Sequence, residues 1–393
     1  MKTPALTYNL ASTRRLLALP PVTLQTVRQP GLDATIVKRN GYREFHITLR
    51  PLPGERPLLW SWRLDSFLRE HAAVIARQDV FGTADGCAEV RRRLGRLTKA
   101  NWPITCLATA PYSDSNIAGM HVLAISGTPL KTVVVDGHPI ARVFSDGWAR
   151  HCVLGDLRPR ACDATRSSQA AQVYQELEDA LARAGFTLPD IVRTWLFIDN
   201  ILDWYKDFNE VRTEIFTQNG LFSHLVPAST GIGAGNLHGA ALVAGAWAIQ
   251  PLDGSGLNIS EALSPLQCSA RKYGSCFSRA VAVSAAGLDR LLVSGTASID
   301  QSGRSAHAGD VRRQIRLTME VVEAILRSRG MRWTDVSRAT IYVRNLTDAP
   351  RFDEWCAMHD VRLPALIVQA DICRDELLFE IEIDAMTIRQ EDS

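Results

Sequence analysis

The chain has 393 residues, 46% hydrophobic and 22% charged, with a formal net charge of +2. That balance excludes wholesale disorder, and a near-neutral chain with no Lys/Arg block argues against nucleic acid or an anionic membrane surface as partner. No stretch approaches the roughly 20 apolar residues of a membrane helix. The eight cysteines form no CxxC pair and no zinc-spaced cluster, so they read as reduced thiols. The N-terminal MKTPALTYNLASTRRLLALPP has two arginines before only a brief apolar stretch, which is not a secretory leader. The expectation is a cytoplasmic protein with a small-molecule substrate and no metal or cofactor; whether it is a monomer or a homo-oligomer is left open.

The first hundred residues carry little pattern, and Pro51, Pro53, Pro57 with the run Leu58–Trp62 suggest strands and turns. From residue 150 the pattern sharpens. His151–Gly155 reads as a strand ending in glycine. Gln169–Arg183 places Ala170, Val173, Leu177 and Leu181 at helical spacing, with Gly185 as a C-terminal cap. Val192–Ile198 is then a β-rich run. Pro251–Gly256 is rich in turn residues and marks a domain boundary, giving one domain over 1–255 and a second over 256–393. Arg290–Gly295 is again a strand ending in glycine. Asp310–Arg329 is an amphipathic helix closed by Gly330, and Val336–Val343 is a strand.

The second series repeats the first. Sliding the chain by 145 residues sets Gln169 on Gln314, Gly185 on Gly330, Arg193 on Arg338 and Asn200 on Asn345. Register held across helix, cap and strand indicates a duplication. The fold class is α+β, with mixed sheets carrying helices on one face.

Three stretches of the second repeat, Val293–Gly295, Ile341–Asn345 and Phe379–Ile383, resemble a RidA/YjgF domain (a chorismate-mutase-like fold). Arg193-Thr194-Trp195, Trp204–Asn209, Pro227–Gly233 and Ala370–Arg374 narrow the likeness to the chorismatases over roughly residues 145–388. That resemblance implies two RidA-like halves enclosing an active site in the cleft between them. Its substrate would be chorismate, cleaved to pyruvate and 3-hydroxybenzoate. In RidA deaminases an arginine follows the Pro-Ala of the penultimate strand, but here Pro364-Ala365 precedes Leu366, so the deaminase reading loses its carboxylate anchor.

Cleaving an enol ether requires protonation of its methylene carbon, hence a carboxylic acid that keeps its proton near neutral pH. In Phe379–Asp384 the period is two, with Phe379, Ile381 and Ile383 facing a core and Glu380, Glu382 and Asp384 on the other face. From periodicity alone that second face is a solvated acidic one; the resemblance assigns Glu380 as the catalytic acid and leaves Glu382 on the solvated face. Cys373 matches the cysteine of the 3-hydroxybenzoate-forming branch, where it shapes the pocket wall and excludes water. Arg193 and Tyr205 are candidates for holding substrate, with Arg279 and Arg351 weaker ones. Gly231, in Gly231–Gly235, lets backbone approach the ligand; the glycines follow no predicted strand and do not form a nucleotide loop. His238 and His307 are structural. Alternatives are hydrolysis to a cyclohexadiene diol, mixed 3- and 4-hydroxybenzoate output, or a non-catalytic RidA-fold binding protein.

Overall fold

The computed structural model describes residues 22–97, 100–112 and 114–389; the N-terminal stretch read above as no secretory leader lies outside them. Three sheets are built in chain order. The first contains β1 (Thr23–Gln29), β2 (Leu32–Arg39), β3 (Tyr42–Leu49), β4 (Val74–Gly82), β5 (Ile104–Ala108) and β6 (Ile117–Ser126), with helices α1 (Pro57–Glu70) and α2 (Ala84–Leu97). The second contains β7 (Lys131–Val135), β8 (His138–Ser145), β9 (Ala149–Leu157), β10 (Ile191–Ile198), β11 (Ala228–Gly233) and β13 (Leu242–Pro251), with α3 (Arg166–Ala184) and α4 (Ile201–Gln218). The two-residue β12 (Gly235–Asn236) leaves this module and pairs with β5 of the first. The third contains β14 (Asn258–Ala262), β15 (Ala280–Ala285), β16 (Leu288–Ala297), β17 (Val336–Val343), β18 (Ala365–Gln369) and β19 (Phe379–Ile388), with α5 (Val311–Arg327) and α6 (Ala349–Met358).

The spatial orders are β1-β2-β3-β6-β4-β5, β7-β8-β9-β13-β10-β11 and β14-β15-β16-β19-β17-β18. Each is the same permutation: three antiparallel strands, the last strand of the module, then a parallel pair. The mixed sheets and the two repeats expected from residue 150 onward are present, and the early residues, which carried little pattern, form a third module of the same topology. It escaped the sequence pattern because its chain does not keep the spacing shared by the other two. Residues 57–62, expected as strands and turns, begin α1, whose Trp60, Leu64, Phe67 and Leu68 are buried at helical spacing.

Local chemistry explains the later boundaries. Thr165 caps α3 by accepting from the Ser168 amide, and Gly185 ends it in the left-handed region at φ 76°. Asp310 caps α5 through the Arg313 amide. Each helix pair packs on one face of its own sheet over a separate core. The opposite faces of the three sheets meet in a common core that includes Phe81, Trp195, Phe197, Trp247 and Tyr342. Both faces of the inner strands are therefore covered, and every residue of β10 and β17 is buried.

The repeat extends to a bulge. Register shifts between Ile75 and Arg77, Ile191 and Arg193, and Val336 and Arg338, so each module places an arginine just after the same irregularity. All three guanidinium groups lie near the Trp195 ring, at 3.7 Å (Arg77), 5.2 Å (Arg193) and 5.2 Å (Arg338) from its centroid. Among the described residues no helix is long and apolar enough to cross a membrane.

Candidate active site

The alternation in β19 is as expected, with Phe379, Ile381 and Ile383 in the third module's own core. The acidic face is not solvated. Glu380, Glu382 and Asp384 are all buried, because that face of β19 turns inward toward the neighbouring modules. This corrects the reading of Glu382, which is fully buried and accepts five hydrogen bonds. Its Oε2 takes Arg193 Nη2 (2.8 Å) and Thr230 Oγ1 (2.5 Å). Its Oε1 takes Arg338 Nη2 (2.8 Å), Thr340 Oγ1 (3.0 Å) and Tyr342 Oη (3.2 Å). Two arginines and three hydroxyls outweigh burial and hold this carboxyl down at about 2.

Glu380 has the opposite surroundings. It lies in a cavity lined also by Tyr205, Arg212, Ser229, Gly231, Ser275, Phe277, Arg279, Cys373 and Leu377. Burial and neighbouring charges, with no hydrogen bond among them, set the titration of its carboxyl. Burial, and then the Glu382 charge, push it up to about 8, against the pull of Arg279 and Arg193. It therefore keeps its proton at neutral pH. If this protonated form is the active one, turnover falls as pH rises through about 8, the direction opposite to that of a carboxylate base, and a kcat profile checks it.

The cavity lies between the second and third modules. Module two contributes β11 (Ser229, Gly231) and α4 (Tyr205, Arg212). Module three contributes β16, β19 and the segments holding Arg279 and Cys373. Tyr205, Ser275, Cys373 and Arg374 also border a larger surface groove along α4, which gives the cavity a mouth. Gly231 belongs to a strand parallel to β10, where a loop was expected, and the Tyr205 ring lies over it at 3.7 Å from where a Cβ would stand. Burial, and then Glu380, raise the Cys373 thiol to about 12, so it stays protonated and is no nucleophile.

The structure thus brings together Glu380, Cys373, Tyr205, Arg279 and Gly231. Two other expected anchors lie elsewhere. Arg193 is fully buried and donates to Val293 O, Thr230 and Glu382, so its carboxylate partner is within the protein. Removing one member of such a buried pair costs about 3–5 kcal/mol. Arg351 is on the surface of α6, paired with Glu354 at 2.8 Å. Arg212 was missed. It is buried, lies 5.3 Å from the Phe208 ring, and has an unpartnered Nε. Its signal was its position seven residues after Tyr205, on the same face of α4.

Among the described residues the three modules differ at the position equivalent to Glu380. Four residues beyond Arg77, Arg193 and Arg338 come Phe81, Phe197 and Tyr342, whose strand partners are Gly119, Val243 and Glu380. Only the third position carries a carboxyl. At the first, Leu366 packs against Gly119, so the residue standing where RidA deaminases have arginine fills that cleft.

A tandem of RidA-like modules with one acid-bearing cleft is the class this geometry defines, and the endoribonuclease L-PSP family matches residues 158–244 and 275–387. A chorismatase of Streptomyces rapamycinicus is 30% identical over 238 residues, covering 54% of this chain and 68% of that protein. A 3-hydroxybenzoate synthase of Streptomyces hygroscopicus is 30% identical over 253 residues, covering 57% and 69%. A crystal structure of a chorismatase superposes with a TM-score of 0.59 at 21% identity, covering 79% of this chain and 92% of the other, which supports the fold. The chain belongs to the chorismatase family.

Proposed function

We propose that the chain cleaves the enol ether of chorismate to give pyruvate and 3-hydroxybenzoate. The observation that carries this reading is Glu380, a carboxylic acid that keeps its proton at neutral pH in a cavity it shares with Arg212 and Arg279. The relatives named chorismatase and 3-hydroxybenzoate synthase support the substrate and the product. Chorismate carries two carboxylates, and guanidinium groups suit them as charge-assisted donors. Glu380 delivers its proton to the methylene carbon of the enolpyruvyl group. The adjacent ether carbon becomes an oxocarbenium ion, and the ring hydroxyl adds to it and returns its proton to Glu380; that oxygen's bond to the ring then breaks as a ring C–H proton is lost to it, which makes the ring aromatic, and the resulting hemiketal collapses to pyruvate and 3-hydroxybenzoate. Pyruvate and 3-hydroxybenzoate together have the atoms of chorismate, so capture by a group of the substrate suffices.

Diol formation would consume a water, and the cavity walls oppose its entry. Phe277, Ala297, Ile299 and Leu377 line it beside the neutral Cys373 thiol. Replacing Cys373 with Ala opens space next to Glu380 and is expected to divert a measurable share of product to the diol, read by HPLC; an unchanged product mixture removes Cys373 from product control. The function itself is tested by incubating the purified chain with chorismate. Equimolar pyruvate and 3-hydroxybenzoate are expected. Binding without turnover would favour a ligand-binding role, and diol as the main product would place the chain in the hydrolytic branch.

A further inference from the structure

Thr230 joins two groups that otherwise look unrelated. Its Oγ1 accepts the Gly295 amide (3.0 Å) and Arg193 Nη2 (3.1 Å), and donates to Glu382 Oε2 (2.5 Å). The hydroxyl thus uses its one proton and both lone pairs, and all of these partners are buried or nearly so. Gly295 is the backbone against which the Glu380 carboxyl rests, since a Cβ there would collide with Glu380 Oε1. Glu382 is two residues from Glu380 on the same face of β19. A fixed charge and a fixed shelf therefore meet at one hydroxyl.

We infer that Glu382 and Thr230 form a positioning device for the acid: Thr230 locks the Gly295 shelf under the Glu380 carboxyl, and the Glu382 carboxylate, anchored through the same hydroxyl, stands two residues away on the same face of β19. The inference rests on Glu380 being the acid. Every charged or titratable group facing that carboxyl has a side in the balance. Glu382 on β19 favours the protonated form, while Arg193 on β10 and Arg279 ahead of β15 oppose it. Cys373 is a neutral thiol, and Tyr205 and Tyr342 are neutral phenols whose titration is raised by burial. Arg212 and Arg374 complete the cationic lining. Without Glu382, two buried arginines would remain uncompensated, and Glu380 would release its proton at lower pH.

Three variants test this with chorismate as substrate. Thr230→Val keeps the shape and removes the hydroxyl; kcat is expected to fall at least tenfold with KM within threefold, and Thr230→Ser to restore kcat to within threefold of the parent. Glu382→Gln is expected to move the alkaline limb of the kcat profile to lower pH by at least one unit. Equal losses in the Val and Ser variants, an unaffected Val variant, or an unmoved limb in a folded Glu382→Gln would overturn the inference. Should Glu382→Gln not fold, the Val and Ser pair still decides. Failure of the underlying reading looks different: the parent protein would then show no alkaline limb, or Glu380→Gln would remain active.

Discussion

Replacing Glu380 with Gln is expected to cut pyruvate release from chorismate by about 10³-fold, within the range that general acids contribute, while chorismate still binds. The amide has nearly the same shape and fits the same pocket against Gly295. It is far too weak an acid to give a proton to carbon, so the chemical step loses its donor and the arginine lining is untouched. A continuous pyruvate assay reads the first quantity and calorimetric titration the second. A Gln variant with parental turnover would mean that the proton comes from elsewhere. A variant that no longer binds would mean that the carboxyl serves recognition instead.

The second large effect is expected at Arg212. Its guanidinium is buried, lies beside Phe208, donates to Asn209 Oδ1 at 2.6 Å and has an unpartnered Nε, in a residue that lines the cavity. A hydrogen bond to a charged group contributes about 1.5–3 kcal/mol, so Arg212→Met should raise KM for chorismate by about 10- to 100-fold. Methionine fills similar volume against the phenylalanine, which keeps the packing loss small. Because Arg212 would hold substrate and gives no proton to it, kcat should change less than KM. Initial-rate kinetics separate the two parameters; an unchanged KM would remove Arg212 from substrate binding.

Much of the third module was readable from residue pattern because its elements obey local rules. Asp310 and Gly330 bracket α5, and Val336–Val343 matches β17 residue for residue. The duplication was visible because helix, cap and strand keep one spacing. The first module was not, since its chain diverges from that spacing and only the strand order and the bulge before Arg77 reveal kinship. Those are tertiary facts with no short-range signature.

The site was legible in part for a related reason. Alternation places Glu380, Glu382 and Asp384 on one face, but period two does not tell whether that face meets water or another sheet. Here it meets two other sheets, which makes Glu382 a five-bonded internal anion and Glu380 an isolated neutral acid. The same ambiguity misplaced Arg193. A strand arginine opposite an apolar face can reach a ligand or a buried carboxylate, and only the packing of module two on module three decides for Glu382. Cys373 and Tyr205 were located through family likeness, whereas Arg212 required knowing which face of α4 turns toward Glu380.

The most direct measurement is the carboxyl titration of Glu380 itself, followed by ¹³C NMR on protein labelled at the glutamate side-chain carboxyl, with Glu380→Gln identifying the resonance. We expect that signal to titrate near pH 8, with Glu382 remaining ionised across the neutral range. A midpoint below pH 5 would mean that Glu380 enters the reaction already ionised, and a proton-donating role on the vinyl carbon would be contradicted.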